Sequence, residues 1–165
     1  MSRTELFTFP DPVNEVSARL VAAGVVTMSV AAITLDLRWL VPVIAYGFVA
    51  RVLTGPTLSP LGQLVTRVIT PTLDRPEKLV PGPPKRFAQG VGVAFSVTAL
   101  VLLLAGEWGA AQIVLGMLAS AAFLEAAFGL CLGCKAFAVL MRMGVIPDDV
   151  CERCNDIWAT QRLTE

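Results

Sequence analysis

Residues 87–106 read FAQGVGVAFSVTALVLLLAG, and residues 108–131 read WGAAQIVLGMLASAAFLEAAFGLC. The first stretch carries no charge, and the second carries only Glu125. A helix of roughly 20 apolar residues crosses a bilayer, and both stretches reach that length. Only Glu107 separates them, so they pair as an antiparallel helical hairpin. Two earlier stretches repeat the pattern. One covers about 17–35, with Arg19 near its start; the other covers about 39–53, is shorter and contains Pro42. Arg51 can snorkel to the interface and let that second helix extend. Asp36, Leu37 and Arg38 form the turn between them. Trp39 and Trp108 stand beside the two turns, where indole rings favour the membrane–water boundary.

The whole chain agrees with this reading. Of its 165 residues 55% are hydrophobic and only 16% charged, with a mean hydropathy of +0.70. A soluble domain carries about 25% charged residues. The 13 basic residues are balanced by 13 acidic ones, so the basic excess of a nucleic-acid binder is missing. Histidine is absent. That excludes Ser-His-Asp and Cys-His catalysis and every metal site built on imidazole. The polar start, Met1 to Glu5, does not read as a secretory signal peptide.

Arg38 is the only one of the 13 basic residues that falls in a short turn. The others lie at the N-terminus, in the middle segment, at the adjoining span ends or in the C-terminal region. The positive-inside rule then puts both termini and the middle segment in the cytoplasm and both short turns outside. The middle segment, 54–86, has its own structure. Ser59 and Pro60 read as an N-cap and a first-turn proline. Leu61, Leu64, Val65, Val68 and Ile69 recur at helical spacing, and Pro71 closes the run. This predicts a short amphipathic helix lying in the interface. The prolines at 76, 81, 83 and 84 predict an extended connector from there to Arg86. The expected fold is therefore an all-α, integral membrane four-helix bundle in a single domain. Its spans lie at about 17–35, 39–53, 87–106 and 108–131. A cytoplasmic interfacial helix divides them, and a cysteine-bearing helical hairpin at about 132–165 ends the chain.

Three phrases in this order are distinctive: residues 55–61 (GPTLSPL), 81–89 (PGPPKRFAQ) and 129–134 (GLCLGC). Together they resemble the bacterial membrane family catalogued as domain of unknown function 4395, over nearly the whole chain. The resemblance implies a four-span layout in the bacterial inner membrane. It also implies an association with thioredoxin-like and rhodanese-like proteins, and so thiol redox or sulfur metabolism, without fixing a mechanism.

The four cysteines form two CxxC pairs, Cys131 with Cys134 and Cys151 with Cys154, sixteen residues apart. Three chemistries fit. One is thiol–disulfide exchange with a soluble partner, with Lys135 and Arg142 on the helical face of the first pair favouring thiolate. The second is a four-thiolate site for zinc or iron, for which the spacing suits a zinc ribbon. The third is passive packing of small apolar side chains. In a reducing cytoplasm permanent disulfides are disfavoured. Cys131 and Cys134 are read as continuing the fourth helix, with Gly144 as its stop and Pro147 as the next start. If the two helices fold back, the pairs sit within about three residues, or ~4.5 Å, of the same level.

Glu125 is a carboxylate within a span and hence a candidate proton carrier, or else a protonated group hydrogen-bonded between helices. Six residues along one helix would leave it about 120° from Cys131. Lys85 and Arg86 anchor the third span at the headgroups, or join Arg51 and Ser59 in an anion site. Gly116, Ser120, Ala122 and Ala126 permit close helix contact and leave the oligomeric state open. The expected function is a membrane-anchored dithiol protein, a thiol–disulfide oxidoreductase or sulfur relay with soluble partners. A structural protein with a four-cysteine metal site and a small sulfur-oxyanion transporter are the alternatives.

The division of basic residues has a direct test. Reporters placed after Glu165 and within the turn Asp36–Arg38 are expected on opposite sides of the membrane, with Glu165 inside. Finding Glu165 outside would reverse the topology.

Overall fold

The hairpin seen at 87–131 organises the structure. The computed structural model describes residues 11–73 and 78–147. Cys151, Cys154 and the second arm of the expected C-terminal hairpin lie outside the described residues. Among the described residues three helices are long and apolar enough to cross a membrane: α1 (Glu15–Thr34), α5 (Gly82–Leu104) and α6 (Trp108–Phe128). Helix α2 (Leu40–Thr54) is apolar but shorter. Helix α1 lies along α6, α2 lies along α5, and α5 and α6 touch each other. The shared core holds Val25, Ala32, Val41, Ile44, Ala99 and Leu115. Many of its members are small, which lets the helix axes approach closely. At Gly92 any side chain would collide with the Phe48 ring, so glycine there admits α2 against α5. The outward faces carry Val101, Leu104, Ile113, Met117 and Phe123. An apolar exterior around a small-residue core suits a bilayer as solvent.

Both short turns sit at one end of the array. Arg38 pairs with Asp36 at 3.2 Å and lies 5.2 Å over the Trp108 ring, linking the first turn to the second hairpin. This cation–π contact brings both turns to one end. At the opposite end Arg19 caps α6. Its Nε and Nη2 donate to Ala126 O at 3.1 and 3.0 Å, and Nη2 also donates to Ala127 O at 2.9 Å. The last carbonyls of a helix have no partners within it, and a guanidinium meets two of them here.

The middle segment departs from expectation in two places. Helix α3 (Pro60–Leu64) starts as predicted, with Ser59 Oγ accepting from Gly62 N–H at 3.2 Å. Pro71 does not close the run. A π-helical turn at Val65–Ile69 leads into α4 (Thr70–Thr72), and Thr70 N–H donates to Val65 O. Proline clashes with the carbonyl four residues back in an ordinary helix, and the wider turn just before it relieves that clash. The apolar stripe also divides: Val65 is buried, while Leu64 and Val68 are exposed. The second correction concerns the expected connector. Residues 79–80 form β2 (Leu79–Val80), paired antiparallel with β1 (Val13–Asn14). Pro81 then caps α5, and Pro83 and Pro84 lie in its first turn. The first N–H groups of a helix need no internal acceptor, so proline costs nothing there and its fixed φ suits the helix. Lys85 and Arg86 thus ride on the helix itself.

Arg19→Leu would leave the carbonyls of Ala126 and Ala127 without donors. A loss of about 1–3 kcal/mol is expected, read as a lower midpoint of thermal unfolding in detergent. An unchanged midpoint would show that water replaces the guanidinium at no cost.

Candidate functional site

The first cysteine pair stands at a break between two helices. Helix α6 ends at Phe128, and Gly129 takes the left-handed conformation with φ 69°. Leu130 N–H donates to Leu124 O at 3.1 Å, closing the helix end. Helix α7 (Leu132–Arg142) then begins afresh with Cys131 as its N-cap. The expectation that both cysteines continue the fourth span is therefore corrected: that helix ends at Phe128, not near Cys131. The left-handed glycine is the cause, and the angle of 120° between Glu125 and Cys131 no longer applies.

Helix α7 docks on α5 through one apolar face. Phe137 and Met141 are buried against Phe87 and Ile146, and the rings of Phe87 and Phe137 meet edge to face at 5.7 Å. Gly133, inside the motif, lies so near α5 that an added Cβ would come within 2.5 Å of Ala88 Cα. Glycine at that position is what lets the start of α7 reach the helix carrying Lys85.

The sulfurs are neighbours. Cys134 Sγ donates to Cys131 Sγ at 2.7 Å, and Cys134 N–H donates to the same sulfur at 3.3 Å. Cys131 is buried and Cys134 half-buried. Together these hydrogen bonds and the helix N-terminus favour charge on Cys131. Its thiol is held below the ordinary range, chiefly by the hydrogen bond from Cys134; burial and Glu125 oppose this, and Lys85 assists it. Cys134 is pushed well up, first by its bond to Cys131 and then by burial. The two thiols are thus unequal, with Cys131 the readier nucleophile. Sequence reasoning assigned the favourable cations to Lys135 and Arg142. Both are exposed, and Lys85 is the cation that acts on the two sulfurs. Cys131, as the N-cap, has extended rather than helical backbone (φ −79°, ψ 103°), so its sulfur turns to the Cys134 N–H instead of lying along the face that carries Lys135.

Lys85 does not stand alone. Its Nζ lies 2.6 Å from Glu125 Oε1, joining α5 to α6, and both side chains are largely buried. A cavity of about 90 Å³ lies beside the pair, lined by Phe48, Gln89, Phe95, Glu125, Cys131 and Gly133 among others.

Of the four residues assigned to an anion site, three come together and Arg86 stands apart. Arg51 Nη1 donates to Ser59 Oγ at 3.2 Å, and its Nε donates to Gln89 Oε1 at 2.9 Å. Arg51 and Lys85 both line a second cavity of about 220 Å³. Arg86 is not part of it. Its Nε donates to Val52 O at 3.2 Å, near the end of α2. Gln89 was missed by sequence reasoning; its signal is position alone, one helical turn beyond Lys85 and so on the same face. Among the described residues no cluster of three or more metal-ligating side chains occurs, and the second cysteine pair lies outside them.

The family model described as domain of unknown function (DUF4395) matches residues 13–142. No curated protein matches the chain, and no solved structure does.

The unequal thiols give opposite shifts in two variants. Lys85→Met removes a cation that favours the Cys131 thiolate, so the pH midpoint of Cys131 alkylation is expected to rise. Glu125→Gln removes an anion that disfavours it, so the midpoint is expected to fall. Alkylation across pH, read by mass spectrometry, checks both; shifts in the same direction would remove the electrostatic assignment.

Proposed function

The chain belongs to the domain of unknown function (DUF4395) family, and we propose that it is a membrane-anchored dithiol protein exchanging disulfides with soluble thioredoxin-like partners. Rhodanese-like partners carrying sulfur are the same proposal with a persulfide in place of a disulfide. The observation that carries it is the pair of contiguous, unequal thiols at the start of α7, with the Lys85 ammonium acting on both. In this reading α1, α2, α5 and α6 form a four-span bundle in the bacterial inner membrane, with both termini and the cysteine-bearing hairpin in the cytoplasm.

The exchange runs in two displacements. The Cys131 thiolate attacks one sulfur of a partner's disulfide; that S–S bond breaks, a mixed disulfide forms, and the partner's second sulfur leaves as a thiolate. Cys134 then loses its proton to the departing thiolate and attacks Cys131 Sγ. The mixed disulfide breaks, and a Cys131–Cys134 disulfide forms. Two electrons pass to the partner, which leaves as a dithiol. A second dithiol protein restores the pair by the reverse route. The low position of Cys131 speeds the first attack, and the contact between the sulfurs makes the second intramolecular.

The competing reading is a zinc or iron site held by Cys131, Cys134, Cys151 and Cys154, favoured by their zinc-ribbon spacing. One experiment separates the two. In the dithiol reading Cys131 is alkylated at least ~10-fold faster than Cys134, chelator changes nothing, and Cys134→Ser accumulates a mixed disulfide through Cys131. Cys131→Ser does not accumulate it. Uniform protection of all four thiols, lost together on chelation, would overturn the relay and establish the metal site.

A further inference from the structure

We infer that the cavity beneath Arg51 binds the head of an anionic amphiphile, seating a singly charged oxyanion on the guanidinium. The cavity of about 220 Å³ opens between the start of α1, the end of α2 and the first turns of α5. Arg51 is only 5% exposed. Its guanidinium lies 4.5 Å over the Phe48 ring, and Gly47 leaves room for it, since a Cβ there would lie 3.2 Å from Nη1. Nε and Nη1 are bound to Gln89 and Ser59, both neutral. Nη2 has no acceptor among the described residues, and no carboxylate among them lies within ion-pair distance of Arg51. The other cation on the wall, Lys85, is already neutralised by Glu125 at 2.6 Å.

Among the described residues the guanidinium therefore has no ion-pair partner, although its side chain is almost wholly buried. A buried charge without a partner is costly, and a bound anion removes that cost. A guanidinium presents parallel N–H groups that match two oxygens of a phosphate or carboxylate. The remaining walls indicate what is attached to that oxyanion. Pro12, Val13, Ala18 and Val21 are apolar, so a hydrocarbon or glycerol body fits beside the charged head. The cavity also lies at the end of the array away from the Arg38–Trp108 contact, where Arg19 closes α6. Basic pockets between membrane helices at that boundary suit phospholipid headgroups. A phosphodiester carries one negative charge, equal and opposite to the unpaired guanidinium.

Two sources share this chemistry, a lipid and a free inorganic oxyanion, and the test distinguishes them. Full-length protein in a non-ionic detergent is titrated with dihexanoyl-phosphatidylglycerol, dihexanoyl-phosphatidylcholine and inorganic phosphate, with binding read by native mass spectrometry and thermal shift. Phosphatidylglycerol is expected to bind one-to-one and at least ~10-fold more tightly than either alternative. Arg51→Gln is expected to lose that preference. Because Arg51 also holds Ser59 and Gln89, Ala18→Phe serves as a second variant; it fills the cavity, leaves the guanidinium in place, and is expected to weaken binding ~10-fold or more. Equal binding of phosphatidylcholine would overturn the charge argument. Phosphate binding as tightly as the lipid would overturn the amphiphile. Unaltered binding in a folded Ala18→Phe variant would overturn the location. Cys131→Ser is expected to bind as the unaltered protein does, so this result stands or falls apart from the dithiol reading.

Discussion

One ion pair fixes the arrangement on which the remaining chemistry depends. Lys85 and Glu125 meet at 2.6 Å across α5 and α6. In apolar surroundings neither charge is tolerable alone, so the register of that hairpin is set by the need to bring them together. Once they meet, the first turn of α5 lies beside the last turn of α6. The chain leaving α6 must turn at Gly129 before it can start again as α7. Cys131 then caps a new helix within the field of Lys85, and Gln89, one turn along α5, reaches Arg51 on α2. Sulfur site and anion cavity are two faces of the same few residues at the start of α5.

Much of this was written in the sequence, and the remainder shows what periodicity alone misses. The uncharged run at 87–106, the two short turns and the Ser59–Pro60 start of α3 all follow from length, charge and capping rules applied locally. The pairing of Lys85 with Glu125 was also accessible. They lie 21 and 19 residues from the turn at Gly106, which places them at one level of an antiparallel hairpin. The departures arise where a local signal has two meanings. Prolines at 83 and 84 suit an extended connector and a helix start equally well, and only the strand pairing of residues 79–80 decides between them. Gly129 and Gly133 read in sequence only as parts of a phrase, although one breaks a helix and the other admits close packing. Lys135 follows Cys131 by one helical turn, but Cys131 is the extended cap of that helix and not a member of its face. Arg19, more than a hundred residues from the carbonyls it caps, left no local sign.

The two ends of the array are built from different physics. At the turn end a single exposed cation is paired with Asp36 and laid over Trp108, an arrangement that tolerates both water and lipid. At the other end arginines and a lysine lie inward: Arg19 on helix carbonyls, Arg51 on Ser59 and Gln89, Lys85 on Glu125. Cations satisfied by specific acceptors cost little in place and much when displaced. The proposed thiol and anion sites both lie at that end, among side chains held in defined positions.

The apolar side chains beneath α7 form a cluster of their own. Phe137, Met141, Phe87 and Ile146 pack apart from the core that joins α1, α2, α5 and α6. With a left-handed glycine between it and α6, α7 is expected to open as a local unit, at lower free energy than unfolding of the apolar helices. Protection against amide exchange along α7 therefore reports how often the Cys131 sulfur is uncovered. In the proposed exchange, attack on that sulfur would follow a local opening that leaves the apolar helices in place, so access and anchorage would be set independently in one short chain.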